Sequence, residues 1–200
     1  NTNYTFCVSE DITSPVTDGF AEFTIDIKQG TFVTNEFVVD TSQPNQKFII
    51  PNPYVDTSTL KVQVRDTLTS SSRKTYSQID NIVGISTHSE TFLIQEIQDE
   101  KYELLFGDGV LGKRLSNGNV INSTYIVTDG VGGNGVSNFS FSGKLVDNDG
   151  GLITSGISDV ITNERSSNGA EVESIDTIRN LSTRVYSAQH RAVTANDYEA

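Results

Sequence analysis

Apolar and polar residues alternate along much of this chain, until near residue 170 the apolar positions begin to recur every three or four residues. Phe23, Ile25 and Ile27 interleave with Thr24, Asp26 and Lys28, and Leu60, Val62 and Val64 with Lys61, Gln63 and Arg65. A period of two puts one set on one face of a pleated strand, so each run predicts a strand with one covered face. Similar runs predict strands at 92–97, 102–106, 121–127 and 139–141. Turn formers at Pro51-Asn52-Pro53, Asn117-Gly118 and Asp149-Gly150 separate them. Past residue 170, Val172, Ile175, Ile178, Leu181, Val185 and Ala188 fall along one stripe of a helix. Glu171, Glu173 and Asp176 stand in its opening turns and Arg179 and Arg184 later, the order the helix dipole favours. Ser182-Thr183 is the place for a local break. Thr194, with Asp197 three residues on, caps a second helix just before the last residue. Together with the polar opening at Asn1, this predicts a piece of a longer protein.

The expected fold is mainly β with an α+β outer domain, a β-rich module being inserted into an α+β domain that carries a C-terminal amphipathic helix. The limits fall in the proline-flanked stretch near Gln43 to Pro53 and the glycine-rich run Gly130 to Gly135. Residues 1–45 and 136–200 form the discontinuous outer domain and 46–135 the inserted β module. Strands near Phe23 and Val39 are expected to pair with one around Ile157 to Ile161, and the helix to lay its apolar stripe across their sheet. The chain has no internal repeat period.

Specific motifs add to this pattern. N-G-A-E-V-E-S at Asn168 to Ser174 precedes an isoleucine-containing helix with Arg179, and R-V-Y-S-A-Q-H-R-A-V-T-A-N-D-Y follows at Arg184 to Tyr198. G-T-F-V at Gly30 to Val33, F-G-D-G-V-L-G-K at Phe106 to Lys113 and G-V-G-G-N-G at Gly130 to Gly135 accompany them. In these features the chain resembles the baseplate-J-like family of contractile-tail proteins, and within it the large wedge subunits of T4-type phages. Ser182-Thr183 departs from the Ala-Pro-like turn expected in relatives. The resemblance implies a noncatalytic virion component. Its partners would be other copies of itself in the baseplate ring and other wedge proteins. Its location would be the tail baseplate, after assembly in the host cytoplasm.

Bulk composition narrows the classes further. Two hundred residues suffice for a sizeable core. No apolar run approaches the roughly twenty residues of a membrane-spanning helix, so no membrane insertion is expected. A formal charge of -12 disfavours nucleic acid as a partner, because phosphate binding needs clustered Lys and Arg. One cysteine, Cys7, leaves no internal disulfide framework and fits folding in a reducing compartment, where a small buried residue is its expected role.

Candidate chemistry is sparse. Gly107 to Lys113 superficially resembles a phosphate loop but lacks the G-x-x-x-x-G-K-[ST] spacing, with Arg114 where the hydroxyl residue belongs. A glycine hairpin is expected, with Gly107, Gly109 and Gly112 at positive φ. Asp147-Asn148-Asp149-Gly150 opens like a calcium loop, yet Ser158 occupies the twelfth position where glutamate is required. A turn is expected there. His88 and His190, with one cysteine, do not make a four-ligand zinc set without carboxylates, and His190 beside Arg191 suits a helix C-terminus. No nucleophile elbow occurs, and no carboxylate pair is marked for acid-base work. The expectation is therefore no enzyme, with no catalytic, cofactor-binding or metal residue. Two readings compete with an assembly subunit. One is an adhesive or carbohydrate-binding β module of a phage tail, which the seven tyrosines favour and the absence of tryptophan disfavours. The other is a glycan or peptide hydrolase, for which no motif speaks.

Overall fold

The computed structural model describes residues 3–156 and 160–188, with side chains beyond Thr183 and that of Ile175 outside the description. The strands are β1 (Phe6–Cys7), β2 (Lys28–Gln29), β3 (Thr31–Val38), β4 (Phe48–Ile50), β5 (Val55–Arg65), β6 (Lys74–Gln78), β7 (Thr91–Ile97), β8 (Lys101–Phe106), β9 (Val120–Val127), β10 (Leu145–Val146) and β11 (Leu152–Ile153). One helix, α1, spans Ile175–Ala188. Seven strands form a single sheet in the order β3-β9-β5-β6-β7-β8-β4. All its pairs are antiparallel except β6 with β7, which the 79–90 crossover joins in parallel.

The sheet curls until its edges nearly meet. Phe37 on β3 and Phe48 on β4 stack edge-on with ring centroids 5.9 Å apart, so the two edge strands share one core. Val62, Val64, Tyr76, Phe92, Leu104, Ile121 and Tyr125 fill the interior. This is the answer to alternation: each strand turns one apolar row inward, and curling lets the rows cover one another. β9 lies between β3 and β5 and is buried on nearly every residue, because Val120 and Ile126 are also covered on its outward face.

The register of β5 against β9 shifts between Asp56 and Lys61. Asp56 Oδ1 accepts the Ser58 N–H at 3.0 Å, and the Thr59 hydroxyl donates to the Asp56 carbonyl at 2.7 Å. In the resulting gap the Ile126 N–H donates to Thr59 Oγ1 at 2.9 Å. A side chain thus completes the ladder that the bulge interrupts.

Strands are present at four of the expected places, within β5, β7, β8 and β9. The runs at 23–27 and 139–141 are not strands, since alternation makes a strand only where a neighbour can pair with it. Phe139 packs edge-on against Phe6 instead, at 4.9 Å. No strand forms near Phe23, and the expected pairing with a strand around Ile157 to Ile161 falls largely outside the described residues. β3 runs antiparallel to β9 along its whole length, Thr31 opposite Val127 through Val38 opposite Val120. Residues 157–159 lie outside the described residues. The main sheet therefore takes β3 from the 1–45 segment and its other six strands from 46–135.

The helix begins at Ile175, three residues later than its pattern suggested, and Ser174 before it is the N-cap, its Oγ accepting the Thr177 N–H at 3.2 Å. Ser182 and Thr183 do not break it. Their hydroxyls donate back to the Arg179 carbonyl, each at 2.9 Å, and the helix continues to Ala188. At its described positions the stripe is not laid on the sheet: Ile178 is 48% exposed, and Val172 and Leu181 are similarly open. The expected second helix at Thr194 lies outside the described residues.

Candidate functional site

A half-open cleft sits at one end of the barrel, where β5 and β8 begin and β7 and β9 end. It encloses about 440 Å³. Tyr54 and Val55 come from the start of β5, Glu96 from β7, Glu100 and Tyr102 from the β7–β8 turn and β8, and Thr128 to Gly130 from the exit of β9. Ala170, Glu171 and Val172, the strap leading into α1, make the outer wall.

Among the described residues, four carboxylates line this cleft and no Lys, Arg or His does. Two of its residues, Tyr54 and Glu100, hold the left-handed backbone region, with φ of 58° and 56°. At Glu100 the reason is local. The β7–β8 connection is a tight hairpin in which Asp99 and Glu100 both have positive φ, a geometry that Asn-Gly adopts without strain. Burial raises the Tyr102 hydroxyl above the usual tyrosine range, and the Glu96 and Glu100 charges add to this. Asp129 is already engaged: its Oδ2 accepts from Gln29 Nε2 at 2.6 Å and its N–H donates to Gln29 Oε1 at 2.8 Å. The cleft can attract a cation or accept hydrogen bonds from a hydroxyl-rich ligand. Alternation could not reveal it, because its residues come from separated turns and strand ends.

The sequence-marked segments lie elsewhere. Gly107 to Lys113 is at the opposite end of the barrel and is a tight loop closed by a bridge between Gly107 and Arg114. Asp108 Oδ1 accepts the N–H groups of Val110 and Leu111, the Gly109 N–H goes to the Gly112 carbonyl, and those of Gly112 and Lys113 go to the Ser86 and Ser89 carbonyls. The amides of residues 109–113 are therefore taken and are not free to cradle a phosphate. Gly109 and Gly112 have positive φ as expected, whereas Gly107 does not. Gly107 is required for space: a Cβ there would collide with the Gly112 backbone. Lys113 Nζ bonds Glu90 Oε1 at 2.6 Å, which raises its pKa.

Asp147 Oδ1 accepts the N–H groups of Asp149 and Gly151 at 3.0 and 2.7 Å, closing the β10–β11 turn on itself. His88 is exposed, its Nδ1 2.9 Å from the Thr87 hydroxyl. His190 lies outside the described residues. Cys7 is half-buried and donates to the Gly30 carbonyl at 3.2 Å. Among the described residues no group of three His, Cys, Asp or Glu side chains is placed to hold a metal ion, and no helix is long and apolar enough to cross a membrane.

Two polar networks are structural. Tyr125, fully buried, donates its hydroxyl to Asn52 Oδ1 at 2.6 Å and accepts from Asn35 Nδ2. Arg65 pairs with Glu36 and donates through Nε to Asn122 Oδ1 at 3.0 Å, while Asn122 Nδ2 donates to Glu36 Oε2 at 3.0 Å. That second network ties β3, β9 and β5 together.

The fold and cleft thus define a mainly β protein with a nearly closed seven-stranded mixed barrel-like sheet and a short C-terminal helix. No protein-family model matches the chain, and no curated protein matches it.

Proposed function

We propose that the chain is a structural subunit of the contractile-tail baseplate wedge of a T4-like bacteriophage. It would form the baseplate ring through self-association and contacts with other wedge proteins, and relay the trigger for sheath contraction. The observation that carries this reading is the apolar stripe of α1, open at its described positions Ile178 and Leu181, within the segment whose motifs resemble the baseplate-J-like family. A helix with an uncovered apolar stripe needs a surface to lie on, and in an assembly subunit a neighbouring molecule supplies it. The proposal includes an outer α+β unit, residues 1–45 and 136–200, around the β module at 46–135. β3 is the strand by which the outer unit enters the module's sheet.

Light scattering over a concentration series tests it, with the unmodified chain beside Ile178→Asp. The expected result is concentration-dependent association that Ile178→Asp abolishes while its melting transition stays in place. A strictly monomeric chain at every concentration would argue against self-association through α1.

A second reading, an adhesive or carbohydrate-binding module of a phage tail, draws on the cleft. Tyr54 and Tyr102 offer ring faces beside carboxylate acceptors, the combination that sugar hydroxyls and C–H faces use. A glycan-binding screen with Tyr102→Ala as control separates the readings.

A further inference from the structure

The glycine-rich turn Gly130 to Gly135 grips a later part of the chain. The backbone of Ser166 is held from both sides, the Gly135 N–H donating to its carbonyl at 2.8 Å and its own N–H donating to the Val136 carbonyl at 3.0 Å. Ser166 Oγ donates to the Gly133 carbonyl at 2.6 Å and accepts the Val136 N–H at 2.8 Å. Three residues on, the Asn134 side-chain amide binds both backbone groups of Gly169. Its Nδ2 donates to the Gly169 carbonyl at 2.8 Å and its Oδ1 accepts the Gly169 N–H at 2.9 Å. The fit excludes side chains, since a Cβ on Gly169 would strike the Gly130 carbonyl and lie 2.8 Å from Asn134 Oδ1.

We propose that this turn is a latch and residues 166–172 a strap that it holds shut over the acidic cleft, so that the strap and α1 release together while the barrel stays folded. Three features support a separable unit. The strap is fastened by hydrogen bonds that are exposed or only partly buried, the kind that open with little free energy, whereas the barrel is fastened by its apolar core. Among the described residues, Val172 and the stripe positions Ile178 and Leu181 add no buried apolar face to the fastening, since all three are open. The strap's Glu171 also lines a cleft that already carries Glu96, Glu100 and Asp129, with no cation among the described lining residues, so like charges oppose closure. The latch thus sets both access to the cleft and the direction in which α1 leaves the barrel.

Hydrogen exchange on the full chain tests the latch, with hydroxyl-radical footprinting of Tyr102. In the unmodified protein, peptides covering 164–172 are expected to exchange through an opening insensitive to low denaturant, and those of β9 only through global unfolding. Asn134→Ala should speed strap exchange by about tenfold and raise Tyr102 oxidation with β9 unchanged. Asn134→Asp, which keeps the acceptor and loses the donor, should fall between. Gly169→Ala should release the strap from the other side of the contact. Strap and β9 amides opening together in the unmodified chain, or strap exchange unaltered by both Asn134→Ala and Gly169→Ala, would overturn the latch. A released strap with unchanged Tyr102 oxidation would overturn its role as a gate.

Discussion

Tyr125 shows how one hydroxyl can anchor the interior. Its ring fills the barrel while its oxygen links Asn35 on β3 to Asn52 in the β4–β5 turn. Tyr125→Phe keeps the ring and leaves both amides short of a partner, so chemical denaturation should show a loss of about 1–3 kcal/mol. Glu100 is the opposite case, a side chain on a backbone that prefers none. Glu100→Gly should stabilise by about 1 kcal/mol by removing the left-handed penalty, seen as a higher melting temperature. An unchanged or lower value would mean that the Glu100 side chain contributes more than its backbone costs. Neither residue was marked by the sequence. A buried tyrosine reads there like any aromatic position on a strand, and positive φ is invisible without a glycine to signal it.

Elements owe their limits to partners. The β5 bulge is held because Thr59 replaces a missing carbonyl, so Thr59→Val, similar in shape but without the hydroxyl, orphans the buried Ile126 N–H. A loss of about 1–3 kcal/mol in equilibrium unfolding is expected, and no loss would mean that the strand re-registers. The glycine loop is closed by its own amides and Asp108, so Lys113→Ala removes only a partly exposed ion pair with Glu90. Its effect should stay within about 1 kcal/mol, and calorimetry should find no nucleotide binding to either form. The helix was legible from its period, as was its amphipathic character. Its burial was not, since a stripe says that a surface is needed and not which molecule provides it. For that reason Ile178→Asp, which on a buried stripe would cost several kcal/mol, is expected here to leave folding almost intact.

At the scale of the whole molecule, stability should form a plateau in pH with two identifiable flanks. Asp40 and Asp108 have carboxyls held below the usual aspartate range, by Ser42 and by the Leu111 and Val110 amides respectively. A depressed folded pKa means their contribution is complete above about pH 4 and is lost as pH falls through the folded values. Tyr76 and Tyr125 are raised from 10.0 by burial and Lys113 from 10.5 by its bond to Glu90. Raised folded values make their contributions complete below about pH 10 and lost as pH rises beyond it. Urea midpoints measured across pH should therefore decline on both sides, and Tyr125→Phe should soften the alkaline decline. A flat alkaline limb in the unmodified chain would contradict the burial of these tyrosines. Alternation by itself determined that the chain is mainly β, where four core strands run and that one amphipathic helix follows, because side-chain period depends only on local backbone geometry. Which strands pair, the curling of the sheet and the gathering of the cleft from separated turns were decided by tertiary structure. These depend on contacts between residues far apart in the chain, as when β3 finds β9 about ninety positions away, and no local pattern encodes them.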